Sequence, residues 1–262
     1  MNQKKKIPYD AVGDIAILKF SPDAKKNFKL EYSKKFLKQN RAFKTVLEKT
    51  GKFSGILRKA KTRFIAGENK KETIHIESGC RFFLNVDDTY FSPRLCNERK
   101  LIAEEIAKKA GENSKILVMF AGVAPFPIII AKKLREKNKE AEIISNELNR
   151  RANKYAAKNI LINKVADYVK ILPGDCRKLP EKLTRKFDFI VMPRPNLKET
   201  FLQTAEKLSK KGTRIYYYGF GEKEKVLYEV KKNKKLKSKK IMIRKAGEIA
   251  PYKFRWLAVF KI

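Results

Sequence analysis

The sequence predicts an α/β fold in which a mostly parallel sheet, covered by helices on both faces, follows a small α+β unit. Two observations carry this. Beyond Ser92-Pro93, short apolar runs alternate with amphipathic helical stretches, and strands that alternate with helices pair in parallel through right-handed crossovers. Before Ser92, period-2 runs are broken by glycines at 51, 55, 67 and 79, the pattern of antiparallel strands and their turns.

Taken in order, DIAILKF, FSGILRKAKTRFIAG and KETIHIESGCRFFLNV read as strands, with a helix expected over residues 31 to 50. The pattern then turns to a helix from Asn97 to Ala110, a strand in KILVMF, a helix from Pro125 to Lys137 and a strand in AEIISNE. A helix from Arg150 to Leu161 follows, then strands in VADYVKILPGD and FDFIVM and a helix from Lys198 to Ser209. The tail returns to strand character in TRIYYYGF and FRWLAVFKI, with a lysine-rich segment between them. The expected domains are therefore residues 1–92 and 93–262, and no internal repeat is visible.

The 262 residues carry 63 Lys and Arg against 28 Asp and Glu, a formal net charge of +35. Solubility needs far less, so the expected partner is a polyanion. Lipid is excluded as that partner because no stretch approaches the roughly 20 apolar residues of a spanning helix. The opening MNQKKKIPYD has no apolar signal core behind its charges, so a cytoplasmic, soluble protein is expected. Cys80, Cys96 and Cys176 have neither zinc-site nor disulfide-framework spacing, and the single His75 sits in the alternating run TIHIE. No protein-bound metal is expected. The run KKNKKLKSKK, residues 231 to 240, reads equally as a solvated face or an RNA contact.

In a doubly wound sheet ligands settle beyond the carboxyl ends of the strands, where strand order reverses. After the first of these strands comes MFAGVAPFPI, where Ala121, Gly122 and Ala124 allow close backbone approach and a helix N-terminus follows. The second ends at Glu147, whose carboxylate can accept both hydroxyls of a ribose. The third leads into GDCR, where Asp175 can accept an adenine amino proton. The fourth, FDFIVMPRPN, ends in a proline-stiffened loop. There is no GxGxxG, so a mononucleoside is expected rather than a dinucleotide. Each feature has a plainer reading: Gly122 closing a turn, Glu147 capping a helix, Asp175 making an Asx turn. The same holds for Arg94 and Glu98 in YFSPRLCNER, which stand one helical turn apart as either an i,i+4 ion pair or a catalytic acid–base pair.

YFSPRLCNER, MFAGVAPF, NELNRRANKYAAKNILINKV and GDCR, together with the upstream IAGENKKETIHIESGCRFFLNVDD, closely resemble the archaeal and eukaryotic tRNA (guanine-37-N1)-methyltransferases and their sister wybutosine-pathway aminocarboxypropyltransferases. The resemblance covers most of the chain. It implies an α/β class I S-adenosylmethionine-dependent methyltransferase domain, Rossmann-like, preceded by a small α+β domain that faces RNA. It also implies S-adenosyl-L-methionine as cofactor, with contacts at Tyr90, Arg94, Phe120, Ala121, Gly122, Val123, Glu147, Leu148, Asp175, Cys176 and Pro193. Methylating N1 of guanine removes a ring proton and moves negative charge onto O6. The resemblance therefore makes Glu98 the general base and Arg94 or Arg58 the group that stabilises O6.

Three departures from the family pattern stand out. Val118 holds the place of an aspartate before the cofactor loop, and Ala124 replaces a glycine. The fourth-strand loop reads Pro193-Arg194-Pro195-Asn196 where an asparagine usually leads, leaving Asn196, Arg194 or backbone carbonyls to orient the guanine, with Asn196 preferred. The chain opens where longer relatives have already passed an extra N-terminal domain, so that domain is expected to be absent and recognition to rely on the anticodon branch of tRNA and the basic surface. A monomer acting on tRNA, with neither DNA nor membrane as partner, is expected. The rival functions are aminocarboxypropyl transfer to a tricyclic base, further methylation of that tricycle, and a non-catalytic RNA-binding module.

Overall fold

The computed structural model describes residues 7–51, 61–232, 240–250 and 252–262. Arg58, the FSGILRKA part of the second strand run and most of the lysine run at 231–240 lie outside the described residues. The chain forms two compact units, Met1–Pro93 and Arg94–Ile262.

In the first unit, β1 (Tyr9–Val12), β2 (Ile15–Leu18), β3 (Thr45–Lys49) and β4 (Thr62–Gly67) form one sheet in that order. The β2–β3 pair is parallel because helix α1 (Lys26–Gln39) crosses between them; the other pairs are antiparallel. The helix expected over 31 to 50 thus begins earlier and stops at Gln39. Asn40 closes it by donating its side-chain amide to the Phe36 carbonyl at 2.8 Å, and the segment TVLEK becomes β3 instead. Thr45, Val46 and Leu47 are consecutively buried there, a setting that β-branched side chains fit on a pleated sheet. Ala16, Leu18, Phe36 and Val46 make the core between helix and sheet. A hairpin of β5 (Glu72–Glu77) and β6 (Cys80–Asn85) completes the unit, and His75 accepts the Gly13 N–H at 3.2 Å, a structural use of its ring.

The second unit holds a seven-stranded sheet of β7 (Ser114–Val118), β8 (Ala141–Glu147), β9 (Val169–Pro173), β10 (Phe187–Met192), β11 (Ser209–Gly221), β12 (Met242–Ala250) and β13 (Lys253–Lys261). Its order is β12-β13-β11-β10-β7-β8-β9. β7 to β11 run parallel, and β13 and β12 return antiparallel. The chain moves outward from β7 to β9 and then jumps back to place β10 on the other side of β7. The switch point therefore lies between β7 and β10, as in Rossmann-like sheets. Helices α2 (Cys96–Lys109), α3 (Pro125–Arg135), α4 (Arg150–Ile162), α5 (Leu179–Lys182), α6 (Leu202–Lys207) and α7 (Lys223–Lys231) complete the unit.

Two features depart from the sequence expectation. α6 is shorter than Lys198 to Ser209, because Phe201 takes a left-handed conformation (φ 60°) and Ser209 already belongs to β11. The lysine-rich tail also hides a helix and a strand. In α7 only Val226 and Val230, one turn apart, are buried, and β12 is an edge strand whose charges suit that position.

Candidate active site

The loop after β7 bends through three left-handed residues, Phe120 (φ 57°), Gly122 (φ 58°) and Ala124 (φ 67°). Two of them are not glycine, so each costs on the order of 1 kcal/mol and surrounding bonds must impose the shape. Those bonds are present. The Ala121 N–H donates to the Asn146 carbonyl at 2.9 Å, and the buried Asn159 amide donates to the Val123 carbonyl at 3.0 Å. The Gly122 N–H donates to Glu147 Oε2 at 2.8 Å. Pro125 and Pro127 then open α3, where a missing N–H costs nothing.

Glu147 is the knot of this edge. Its second oxygen accepts the Asn149 N–H at 2.7 Å while Asn149 caps α4 through the Arg151 N–H at 3.0 Å. Its carbonyl takes the Asn153 amide and the Gly174 N–H, both at 2.9 Å. Burial pushes the Glu147 pKa up against the opposing pull of the Asn149 and Gly122 N–H groups. Each carboxylate oxygen keeps a lone pair beyond the one used, so two further donors can be accepted. The plainer readings of Gly122 and Glu147 as a lone turn and a lone cap are replaced by one clasp that joins loop, strand end and helix start.

The third strand end is fixed by Asn146, whose amide donates to the Leu172 and Gly174 carbonyls at 2.9 and 3.0 Å. Asp175 accepts the Arg177 N–H at 2.9 Å and pairs with its guanidinium, which holds the carboxyl below its usual range. Here the plain reading as an Asx turn describes what the structure shows. Cys176 is buried, and burial followed by the charge of Asp175 pushes its thiol up to about 12. Leu148 is 41% exposed between Glu147 and the capping Asn149.

In the fourth loop Pro193 is half-buried and Asn196 exposed. Arg194 is 4% exposed and stacks on Tyr217 and Phe220. Its guanidinium donates to the Pro195, Leu197 and Glu199 carbonyls at 3.0 to 3.3 Å and pairs with Glu229 at 3.4 Å. Arg194 is thus the internal brace of the loop, and Asn196 is the exposed polar side chain beside it.

Glu98 stands in the first turn of α2 and is 7% exposed. β11 explains its surroundings. Tyr216 and Tyr218 point to one face of the strand and Tyr217 to the other, so Tyr217 donates to Glu229 of α7 at 2.6 Å while Tyr218 donates to Glu98 at 3.3 Å. Register sets Tyr217 beside Met192, which puts Tyr218 at the carboxyl edge. The Tyr218 ring also meets Phe126 of α3 at 6.1 Å, which ties Glu98 to the helix behind the glycine loop. The ion-pair partner shown for Glu98 is Arg244 of β12, at 2.6 and 3.0 Å. Arg94 is exposed on the turn before α2, and Tyr90 belongs to the first unit. Sequence reading missed Arg244, Tyr218, Asn146, Asn149 and Asn153. The capping Asn149 ahead of an apolar-periodic run was a readable signal; Arg244, in an unrecognised strand, left none.

Residues 73–245 match the TRM5/TYW2 methyltransferase domain. The chain belongs to this family. It is 38% identical over 214 residues to the tRNA (guanine(37)-N(1))-methyltransferase Trm5b of Pyrococcus abyssi, with 81% of this chain and 60% of that protein covered. It is 30% identical to the tRNA(Phe) (4-demethylwyosine(37)-C(7)) aminocarboxypropyltransferase of Methanocaldococcus jannaschii, with 85% and 82% covered. The structure of Methanocaldococcus jannaschii Trm5 in complex with adenosine superposes with a TM-score of 0.78 at 27% identity, covering 97% of this chain and 72% of that one. The chain spans only part of the length of the Pyrococcus relative.

Proposed function

We propose that the chain transfers a methyl group from S-adenosylmethionine to N1 of guanosine 37 in tRNA. The observation that carries this is the Gly122–Glu147–Asn149 clasp at the switch point, with a buried carboxylate, Glu98, tied to the same edge through Tyr218. The clasp fits a nucleoside: Glu147 has acceptor capacity for a ribose diol, the left-handed loop opens backbone toward it, and Leu148 offers exposed apolar surface for a base. Family membership and the adenosine-bound neighbour support the same cofactor.

Bound there, S-adenosylmethionine supplies a methyl group on a positively charged sulfur. This chain's residues do the rest. Glu98 accepts the N1 proton as the ring nitrogen forms its bond to carbon, and Arg94 or Arg58 answers the charge on O6. Asn196, exposed at the end of the fourth loop, orients the guanine edge. We read residues 1–92 as the RNA-facing domain and the anticodon branch as the part of tRNA that is held.

The test is incubation with S-adenosylmethionine and an unmodified tRNA transcript, followed by digestion to nucleosides and mass spectrometry. The expected product is a guanosine heavier by one methyl, absent from a transcript with adenosine at position 37. Aminocarboxypropyl transfer is the second reading, favoured by Pro193 in place of the usual asparagine and by the 82% coverage of the shorter relative. Its signature is no methylguanosine and a 3-amino-3-carboxypropyl gain on a tricyclic precursor.

A further inference from the structure

A base that must accept a proton is already gripped on both oxygens. Arg244 Nη1 lies 2.6 Å from Glu98 Oε1, Nη2 lies 3.0 Å from Oε2, and the Tyr218 hydroxyl adds a third donor at 3.3 Å. The carboxylate is 7% exposed and its partner arrives from a strand 146 residues later in sequence. A guanidinium fork sets the plane of a carboxylate as no single donor can; with the Tyr218 hydroxyl on Oε2 as well, the lone pair left for other work is on Oε1. Arg244 is itself held: Glu98 pushes its pKa above the usual value, so it stays cationic and cannot take the proton over. The Tyr218 hydroxyl is likewise kept protonated, by burial first and then by the charge of Glu98. The only group of the three that can accept the guanine proton is therefore the carboxylate.

We propose that Arg244 is the positioning residue of the catalytic base, fixing the Glu98 carboxylate toward N1 of guanine. This rests on the reading of Glu98 as base. In the step, the N1–H bond breaks and its proton goes to Glu98 while the methyl carbon bonds to N1 and leaves sulfur, whose positive charge is discharged. The proton then passes from Glu98 to water and the base is restored. The Arg244 side chain is 37% exposed, which gives the network its contact with solvent. Beyond the three groups themselves, Arg255 of β13 acts on Tyr218 and Glu105 of α2 acts on Arg244.

The experiment is single-turnover methylation of the tRNA transcript by wild type, Arg244→Gln, Arg244→Lys, Glu98→Gln and the double Glu98→Gln/Arg244→Gln, with cofactor affinity by calorimetry as the control of folding. Arg244→Gln should slow the methyl step roughly tenfold to a hundredfold with cofactor and tRNA affinities within about twofold. Arg244→Lys should recover part of the rate. In the Glu98→Gln background the Arg244 change should cost nothing further. An unaltered rate, a slowed rate that Arg244→Lys does not partly recover, or an equal loss in the Glu98→Gln background overturns the proposal. If Glu98→Gln is as fast as wild type, it is the reading of the base that has failed.

Discussion

The two edges of the large sheet are built from the same lysine-rich chain and carry opposite chemistry. At the carboxyl edge, Glu147, Asp175 and Glu98 present acceptors amid backbone that left-handed residues have opened. At the amino edge a cavity of about 870 Å³ is lined by Lys115, Arg185, Lys186, Lys210, Arg214 and Lys261 among others, and its acids are Glu112 and Asp188. Asp188 is already engaged by the Lys115 N–H at 2.8 Å and by Lys210 at 2.6 Å. With a net charge of +35, a cationic sulfonium would be repelled from an average patch of this surface. Of the three acids at the carboxyl edge, Glu98 and Asp175 are paired with Arg244 and Arg177, so Glu147, bonded to backbone N–H groups, is the one whose charge the proposed function leaves for a cationic cofactor. The difference teaches that, under the proposed function, the chain's overall charge and its site charge serve different partners.

The comparison is tested hardest at Glu98. Glu98→Gln keeps the shape but removes the basic carboxylate, so single-turnover methylation should fall by about 10²–10⁴ with cofactor binding unaltered. A wild-type rate would mean that the edge binds but does not take the proton. Next comes Glu147→Ala, which removes the ribose acceptor and orphans the Gly122 and Asn149 N–H groups. Hydrogen bonds to a charged group are worth about 1.5–3 kcal/mol, so cofactor affinity by calorimetry should drop about 10- to 100-fold while tRNA affinity stays. A parallel loss of tRNA affinity would show that the two edges are not separable.

The strand ends were legible because each acid closes a recognisable run: AEIISNE ends on Glu147, and GDCR follows an apolar strand. The small residues of the first loop gave its position but not its three left-handed turns, which Asn146, Asn159 and Glu147 impose from far along the chain. The network around Glu98 was half legible. Its place in the first turn of α2 could be read, but Tyr218 depends on strand parity and register, and Arg244 sits in a strand, MIRKAGEIA, whose register shifts break its alternation. The fourth loop taught the reverse lesson: Arg194, open as a base-orienting group on sequence grounds, is buried by two aromatic rings and Glu229. α1 was misplaced because a buried β-branched stretch, TVLEK, extended a helical pattern that Asn40 in fact ends.

Asp175 should matter less than Glu147. Its carboxylate is engaged by Arg177, so Asp175→Asn leaves an amide able to keep part of that turn. The expected loss of cofactor affinity is about threefold to tenfold, on the scale of one ordinary hydrogen bond. A loss as large as that of Glu147→Ala would make the adenine contact equal to the ribose contact.

The smallest effect is expected at the other edge, and it sharpens the comparison most directly. Lys115 and Lys261 are exposed at the mouth of the amino-edge cavity, so Lys115→Glu/Lys261→Glu should leave folding stability within about 0.5 kcal/mol. It should also leave cofactor affinity unaltered, since the clasp at Glu147 lies beyond the opposite ends of the strands. If the cavity's charge works on phosphate, tRNA binding measured against salt should weaken at low ionic strength, and the log–log slope should shrink by about 0.9 for each phosphate that the variant no longer neutralises. At high salt the variant and wild type should converge, because screening removes what the substitutions removed. A slope that stays at its wild-type value would confine RNA binding to other parts of the surface and reduce the amino edge to a solvated face.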